Sequence, residues 1–193
     1  MSLKDFLEAG FLNGQIRWLL LAGDPSRALE CTERLIFLQP SNAHALATQA
    51  HILADLGNFP AAIEAQKRCV VLKPTLASAW FNLGFLCESA GRLDEAEVAF
   101  LQAIEMDPRM DRAWYGLGVC LIQQRRLDAA ALALRKNTEL QPMSPYGWYQ
   151  LARVYAEKKE HDQAANIIRH LRGFEPKIAA QLERETGLVG VLR

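Results

Sequence analysis

Five prolines stand at one spacing. Pro40, Pro74, Pro108, Pro142 and Pro176 each follow the last by 34 residues. With 8 prolines in 193 residues, that coincidence is not chance. Alanine keeps the same period at Ala28, Ala62, Ala96, Ala130 and Ala164, and tryptophan keeps it at Trp80, Trp114 and Trp148. The segments 80–84, 114–118 and 148–152 align without a gap. A chain built this way folds as tandem copies of one small unit, each burying its apolar face on its neighbours.

Each unit reads as two helices. A 3.6-residue apolar pattern runs from Ala77 to about Ala90, Gly91-Arg92 supplies a turn, and Leu93-Asp94-Glu95-Ala96 opens a second helix that stops before Pro108. Gly23 and Gly57 mark the same turn earlier in the chain. Proline cannot continue a helix and pushes the residue before it out of helical geometry. Asp24-Pro25 and Asn42-Ala43 have the character of helix starts. Alanine at the twentieth place and Gly or Ala at the eighth (Gly84, Gly118, Ala152) let two helices approach closely, with Trp and Leu filling the space beside them.

These residues resemble the tetratricopeptide repeat family. Five units are counted, 9–42, 43–76, 77–110, 111–144 and 145–178, in a single domain spanning 1–193. Units three and four are near the family pattern. The first unit is degenerate, with Leu12, Gln15 and Ile16 where Trp, Leu and Gly are usual. The resemblance implies an all-α fold, a right-handed α-solenoid of stacked antiparallel helix pairs. Residues 3–8 are expected to lead into or extend the first helix, and 176–186 to form a last helix that lays Ile178, Ala179 and Leu182 on unit five. The apolar tail 188–193 is expected to be mobile or to dock on a neighbouring molecule.

In this family the first helix of each unit lines the concave side. At about 100° per residue, places 4, 7, 8 and 11 fall on a packing arc and places 2, 5, 9, 12 and 13 on the opposite one. The expected ligand groove therefore carries His44, His51 and Asp55 from unit two and Phe81 and Phe85 from unit three. Units four and five add Arg112, Tyr115, Tyr146, Tyr149 and Arg153. Aromatics interleaved with arginine are the composition of binding hot spots. Phe81, Phe85, Tyr115 and Tyr149 are expected to form one apolar strip, flanked by Arg112 and Arg153. Chaperone-binding members of the family clamp a C-terminal carboxylate with Lys, Asn and Arg. Asn82 matches one place of that clamp and Arg112 could supply another, but Ala47, His51 and Gly116 leave it incomplete. A heat-shock-chaperone tail is therefore not the expected ligand.

Other chemistry is not expected. The formal net charge is zero, from 22 Lys plus Arg against 22 Asp plus Glu, which gives no electrostatic case for nucleic acid. No segment reaches the length of a membrane span or has the plan of a signal peptide. Cys31, Cys69, Cys87 and Cys120 form no zinc-spaced pair and read as buried free thiols, which points to the cytoplasm. His51 and Asp55 are i,i+4 and read as a hydrogen-bonded pair rather than a metal site. There is no phosphate loop, nucleophile elbow or zinc-protease motif, so no catalytic residue and no cofactor are expected. The reading is a non-catalytic interaction module, an adaptor or dedicated chaperone that holds a protein or peptide partner in its groove. The alternatives are a self-assembling scaffold that uses the tail or an open repeat end, and a non-catalytic subunit of an enzyme or of a secretion or assembly complex.

Overall fold

A computed structural model describes residues 3–188, with the side chain of Leu3 left aside. Among the described residues the chain is all helical, with eleven helices and no strand. They are α1 (Leu3–Leu21), α2 (Pro25–Leu38), α3 (Ala43–Asp55), α4 (Phe59–Leu72), α5 (Ala77–Ser89), α6 (Leu93–Met106), α7 (Asp111–Gln123), α8 (Leu127–Leu140), α9 (Pro145–Glu157), α10 (His161–Arg172) and α11 (Pro176–Thr186). They form two compact units, Met1–Met106 and Asp107–Arg193. In the first, α1 to α6 pack each on the next; in the second, α7 to α11 do the same and α11 also rests on α9. Each is built as a segment of α-solenoid.

Local chemistry explains the helix starts. Asp24 accepts from the Arg27 backbone N–H at 3.1 Å, and Asn42 from that of Ala45 at 3.0 Å. Each satisfies a donor that the first helical turn leaves unpaired. Asn58 does the same for α4 through Ala61. The helices α2, α4, α6 and α8 each end two residues before the periodic proline, whereas Pro176 opens α11.

The alanine period is a packing period. Ala28, Ala62, Ala96, Ala130 and Ala164 are all 0% exposed. Large fully buried side chains include Leu35, Ile52, Ile63 and Phe100 in the first unit and Leu134, Leu151, Ile168 and Leu171 in the second. The packing arc of the first helices is wider than the sequence arithmetic predicts. Places 3 and 10 are buried too, as Ala45 and Ile52, Ala79 and Leu86, Ala113 and Cys120, and Gly147 and Val154. The helices α3, α5 and α9 each touch the second helix before them as well as their own, so two contact stripes are needed.

The tryptophan and proline periods are one device. The indole Nε1–H groups of Trp80, Trp114 and Trp148 donate to the carbonyls of Pro74, Pro108 and Pro142 at 2.7, 2.9 and 2.8 Å. These rings are half-buried. The turn between paired helices has a left-handed residue, Gly23, Gly57 and Gly91 in the first unit, but Arg125 (φ 63°) and Lys159 (φ 62°) in the second.

Two further expectations need correction. Cys69, Cys87 and Cys120 are buried, but Cys31 is only half-buried. Burial pushes the Cys69 and Cys87 thiols above their ordinary range. The tail is not wholly without a place: Gly187 turns left-handed after α11 (φ 71°) and Leu188 is 6% exposed. A residue following a left-handed cap commonly packs back on its helix. Residues 189–193 lie outside the described residues. Leu188→Ala is expected to cost about 2 kcal/mol or more. An unchanged thermal midpoint would show that Leu188 belongs to a free tail.

Candidate functional site

In the first compact unit the helices α1, α3 and α5 line a cleft of about 660 Å³. Asn13, Ile16, Arg17 and Leu20 come from α1. Residues of α3 between Ala43 and His51 form one wall, and Ser78, Ala79 and Asn82 come from α5. Leu35 of α2, Gln66 and Cys69 of α4, and Lys73 just past the end of α4 complete the lining. Ile16, Leu35 and Ala79 are core residues that border it. Gln66 is 1% exposed and donates from Nε2 to the Ala79 carbonyl at 2.8 Å, which ties α4 to α5 beneath the cleft.

The electrostatics of this cleft are one-sided. Its ionisable lining is Arg17, Lys73, His44, His51 and Cys69, and no carboxylate is among the lining residues. Asn13, Thr48, Ser78 and Asn82 add hydrogen-bonding groups at the surface. Asp55 stands one turn beyond, with its Oδ2 3.6 Å from His51 Nε2. An open, partly apolar cleft with cations and amides but no lining acid accommodates a ligand that carries negative charge and hydrogen-bond acceptors.

Of the residues expected in a groove, His44, His51 and Asn82 meet in this cleft. Phe81 and Phe85 do not line it. Phe81 is half-buried with its ring 6.0 Å from that of Phe100, while Phe85 is 55% exposed. Arg17, which is not among the expected groove residues, occupies the ninth place of the degenerate first repeat, on the arc that the same arithmetic gives to the groove. Lys73 follows the end of α4 and lies on no first-helix arc, so periodicity carries no signal for it.

The second compact unit has its own cleft of about 740 Å³, lined by Ile122 and Arg125, by Tyr149, Arg153 and Glu157 of α9, and by Glu185 and Thr186 of α11. Its charges are internally matched. Arg125 pairs with Glu157. The Tyr149 hydroxyl donates to Glu185 at 2.7 Å, and the Arg153 guanidinium lies 5.6 Å from the Tyr149 ring centre. The Gln181 amide and the Tyr149 hydroxyl hold the Glu185 carboxyl below its usual range. Glu185 in turn raises the Tyr149 phenol. Arg112, Tyr115 and Tyr146 lie outside this lining, with Tyr115 half-buried and Tyr146 68% exposed. Among the described residues no group of three or more His, Cys, Asp or Glu could hold a metal ion, and no helix is long and apolar enough to cross a membrane.

A tetratricopeptide repeat family model matches residues 17–77 and 89–137, and a second model of the same description matches 145–171. Solved structures share the fold. MamA from Desulfovibrio magneticus RS-1 is 21% identical with a TM-score of 0.79, covering 92% of this chain and 96% of its own. YrrB, described as a TPR protein with an unusual peptide-binding site, is 18% identical with a TM-score of 0.74, covering 88% of each chain. PilW, a widely conserved type IV pilus biogenesis factor, is 19% identical with a TM-score of 0.75, covering 100% of this chain and 90% of its own. No curated protein matches this chain.

Proposed function

The chain belongs to the tetratricopeptide repeat family, and from that premise we propose that it is a non-catalytic protein-interaction module. In this reading it acts as an adaptor or dedicated chaperone, and its cleft on α1, α3 and α5 holds an acidic segment of a partner protein. The repeat fold and the likeness to YrrB, itself a peptide-binding repeat protein, support an interaction role. The observation that carries the choice of ligand is the lining: Arg17, Lys73, His44 and His51 with no carboxylate among them. The cleft of the second unit supports the reading less, because its lining includes the carboxylates Glu157, already paired with Arg125, and Glu185. A rigid repeat surface also binds an extended segment without ordering cost on its own side.

The test uses fluorescently labelled peptides that share Leu and Phe anchors and differ only in carrying Asp and Glu or Lys and Arg. The acidic set is expected to bind, and to bind less tightly as salt is added. Arg17→Glu with Lys73→Glu should weaken it at least tenfold, which is about 1.4 kcal/mol. Both residues are exposed, so the melting temperature should hold. Preference for the basic set, or equal binding by the double variant, would remove this cleft as the site.

A further inference from the structure

In α1 the third and tenth places of the repeat behave unlike those of any other unit. Elsewhere they hold Ala or Gly and a mid-sized apolar residue, each at most 5% exposed where measured as Ala45, Ile52, Ala79, Leu86, Ala113, Cys120 and Val154. In α1 they hold Phe11, 69% exposed, and Trp18, 63% exposed. Leu7 and Leu21 extend the same surface at 63% and 89%. At about 100° per residue, Leu7, Phe11, Gly14, Trp18 and Leu21 fall in an arc of about 80°. The opposite side of α1 is already used: Ala9, Leu12, Ile16 and Leu19 are buried. Thus α1 offers solvent the stripe by which later first helices pack on a preceding helix, enlarged by aromatics.

Three observations select the occupant. The four large side chains expose on the order of 600 Å² of apolar surface, as large as the biggest patch a typical monomer leaves open. Doubled across a pair, that reaches roughly the 1,200 Å² at which specific interfaces begin. Gly10 and Gly14 sit in the helix interior, where glycine is a poor helix former. Among the described residues nothing within 4 Å would meet a Cβ at either, so no contact there calls for them. Gly14 makes a shallow notch within the stripe and Gly10 one at its edge. Finally, the exposed surface of α11 carries Lys177, Gln181, Arg184 and Glu185. That polar surface does not complement the α1 stripe, which disfavours head-to-tail stacking. A self-complementary surface satisfies itself across a two-fold axis.

We propose that two copies of this chain pair through α1, antiparallel, about a two-fold axis near Gly14. Leu7 then packs on the partner's Leu21, and Trp18 fills the notch at the partner's Gly10. This pairing does not depend on the cleft reading, and its measurements involve no ligand.

Sedimentation velocity of the full chain from 1 to 100 µM tests it. The expected result is a reversible dimer. Phe11→Glu with Trp18→Glu should raise its dissociation constant at least 100-fold, while helical circular dichroism and the melting curve of the monomer stay intact. Leu21→Glu, at the most exposed position of the stripe, is a milder variant that should weaken the dimer in the same direction. Gly14→Cys should form an intermolecular disulfide under mild oxidation, where the parent chain with its four native cysteines does not. A wild-type monomer at 100 µM, or a dimer indifferent to the glutamate variants, would overturn the proposal. So would a dimer lost on removal of residues 189–193 while Gly14→Cys fails to crosslink, since that result would name the tail as occupant.

Discussion

Gly147→Ala is expected to destabilise the second compact unit by about 3 kcal/mol, although alanine is the better helix former. The added Cβ would stand well inside contact distance of Asn137 Oδ1, and 3.1 Å from Thr138 Cγ2. Asn137 cannot swing away without loss. It is 5% exposed, and its Nδ2 donates to the Asp111 carbonyl at 2.9 Å, which ties α8 to α7 while its oxygen lies over α9. Overpacking costs about 1 to 3 kcal/mol and a broken buried hydrogen bond about as much again, against a propensity gain of about 1. Urea denaturation measures the sum, and hydrogen exchange should place the loss of protection in α8 and α9. A variant as stable as the parent would show that α9 can lift away from α8 at little cost.

The second large effect lies in the first unit. A Cβ on Gly84 would stand 2.7 to 3.0 Å from the Phe100 ring, itself 1% exposed. Gly84→Ala is therefore expected to cost about 1 to 3 kcal/mol. The fifth repeat solves the same crossing with Ala152 and Ile168, both 0% exposed. Phe100→Ile alone should leave a cavity and cost about 2 kcal/mol or more. Together the two changes reproduce the fifth-repeat pair, and the double variant should be more stable than the sum of the single losses by at least 1 kcal/mol. Strict additivity in the double-mutant cycle would mean the two sites do not share this contact.

What could be read from the sequence divides along physical lines. Helix pairs, turns and caps are local, so Pro, Gly, Asp24 and Asn42 announce them within a few residues. The buried alanine stripe is periodic, so counting finds it. Contacts that join distant places are not announced. Trp80 and Pro74 look like two separate periods until the indole N–H is seen to meet the proline carbonyl. Gln66 and Asn137 read as ordinary polar helix residues, yet each is buried and bonded to another helix. The left-handed turns at Arg125 and Lys159 were hidden because only glycine signals that conformation in a sequence. In the candidate site the first-helix residues His44 and His51 were legible from their arc. Lys73 was not, because it comes from the end of a second helix. The expected aromatic strip rests on angles alone, which give the direction of Phe81 but not the Phe100 ring beside it.

The indole-to-carbonyl clasps have a spectroscopic consequence. Trp80, Trp114 and Trp148 sit in one repeated environment, half-covered, each holding the turn six residues before it. Trp18 has no place in that series and stands 63% exposed. The chain thus carries three emitters that share one clasp, of which Trp148 also has the His170 ring 4.7 Å away, and one distinct emitter. Replacing Trp18 with Phe would leave a fluorescence signal that reports only on the turns. Retaining Trp18 while replacing the other three would give a single emitter on α1, whose quenching by iodide follows the accessibility of that one helix face.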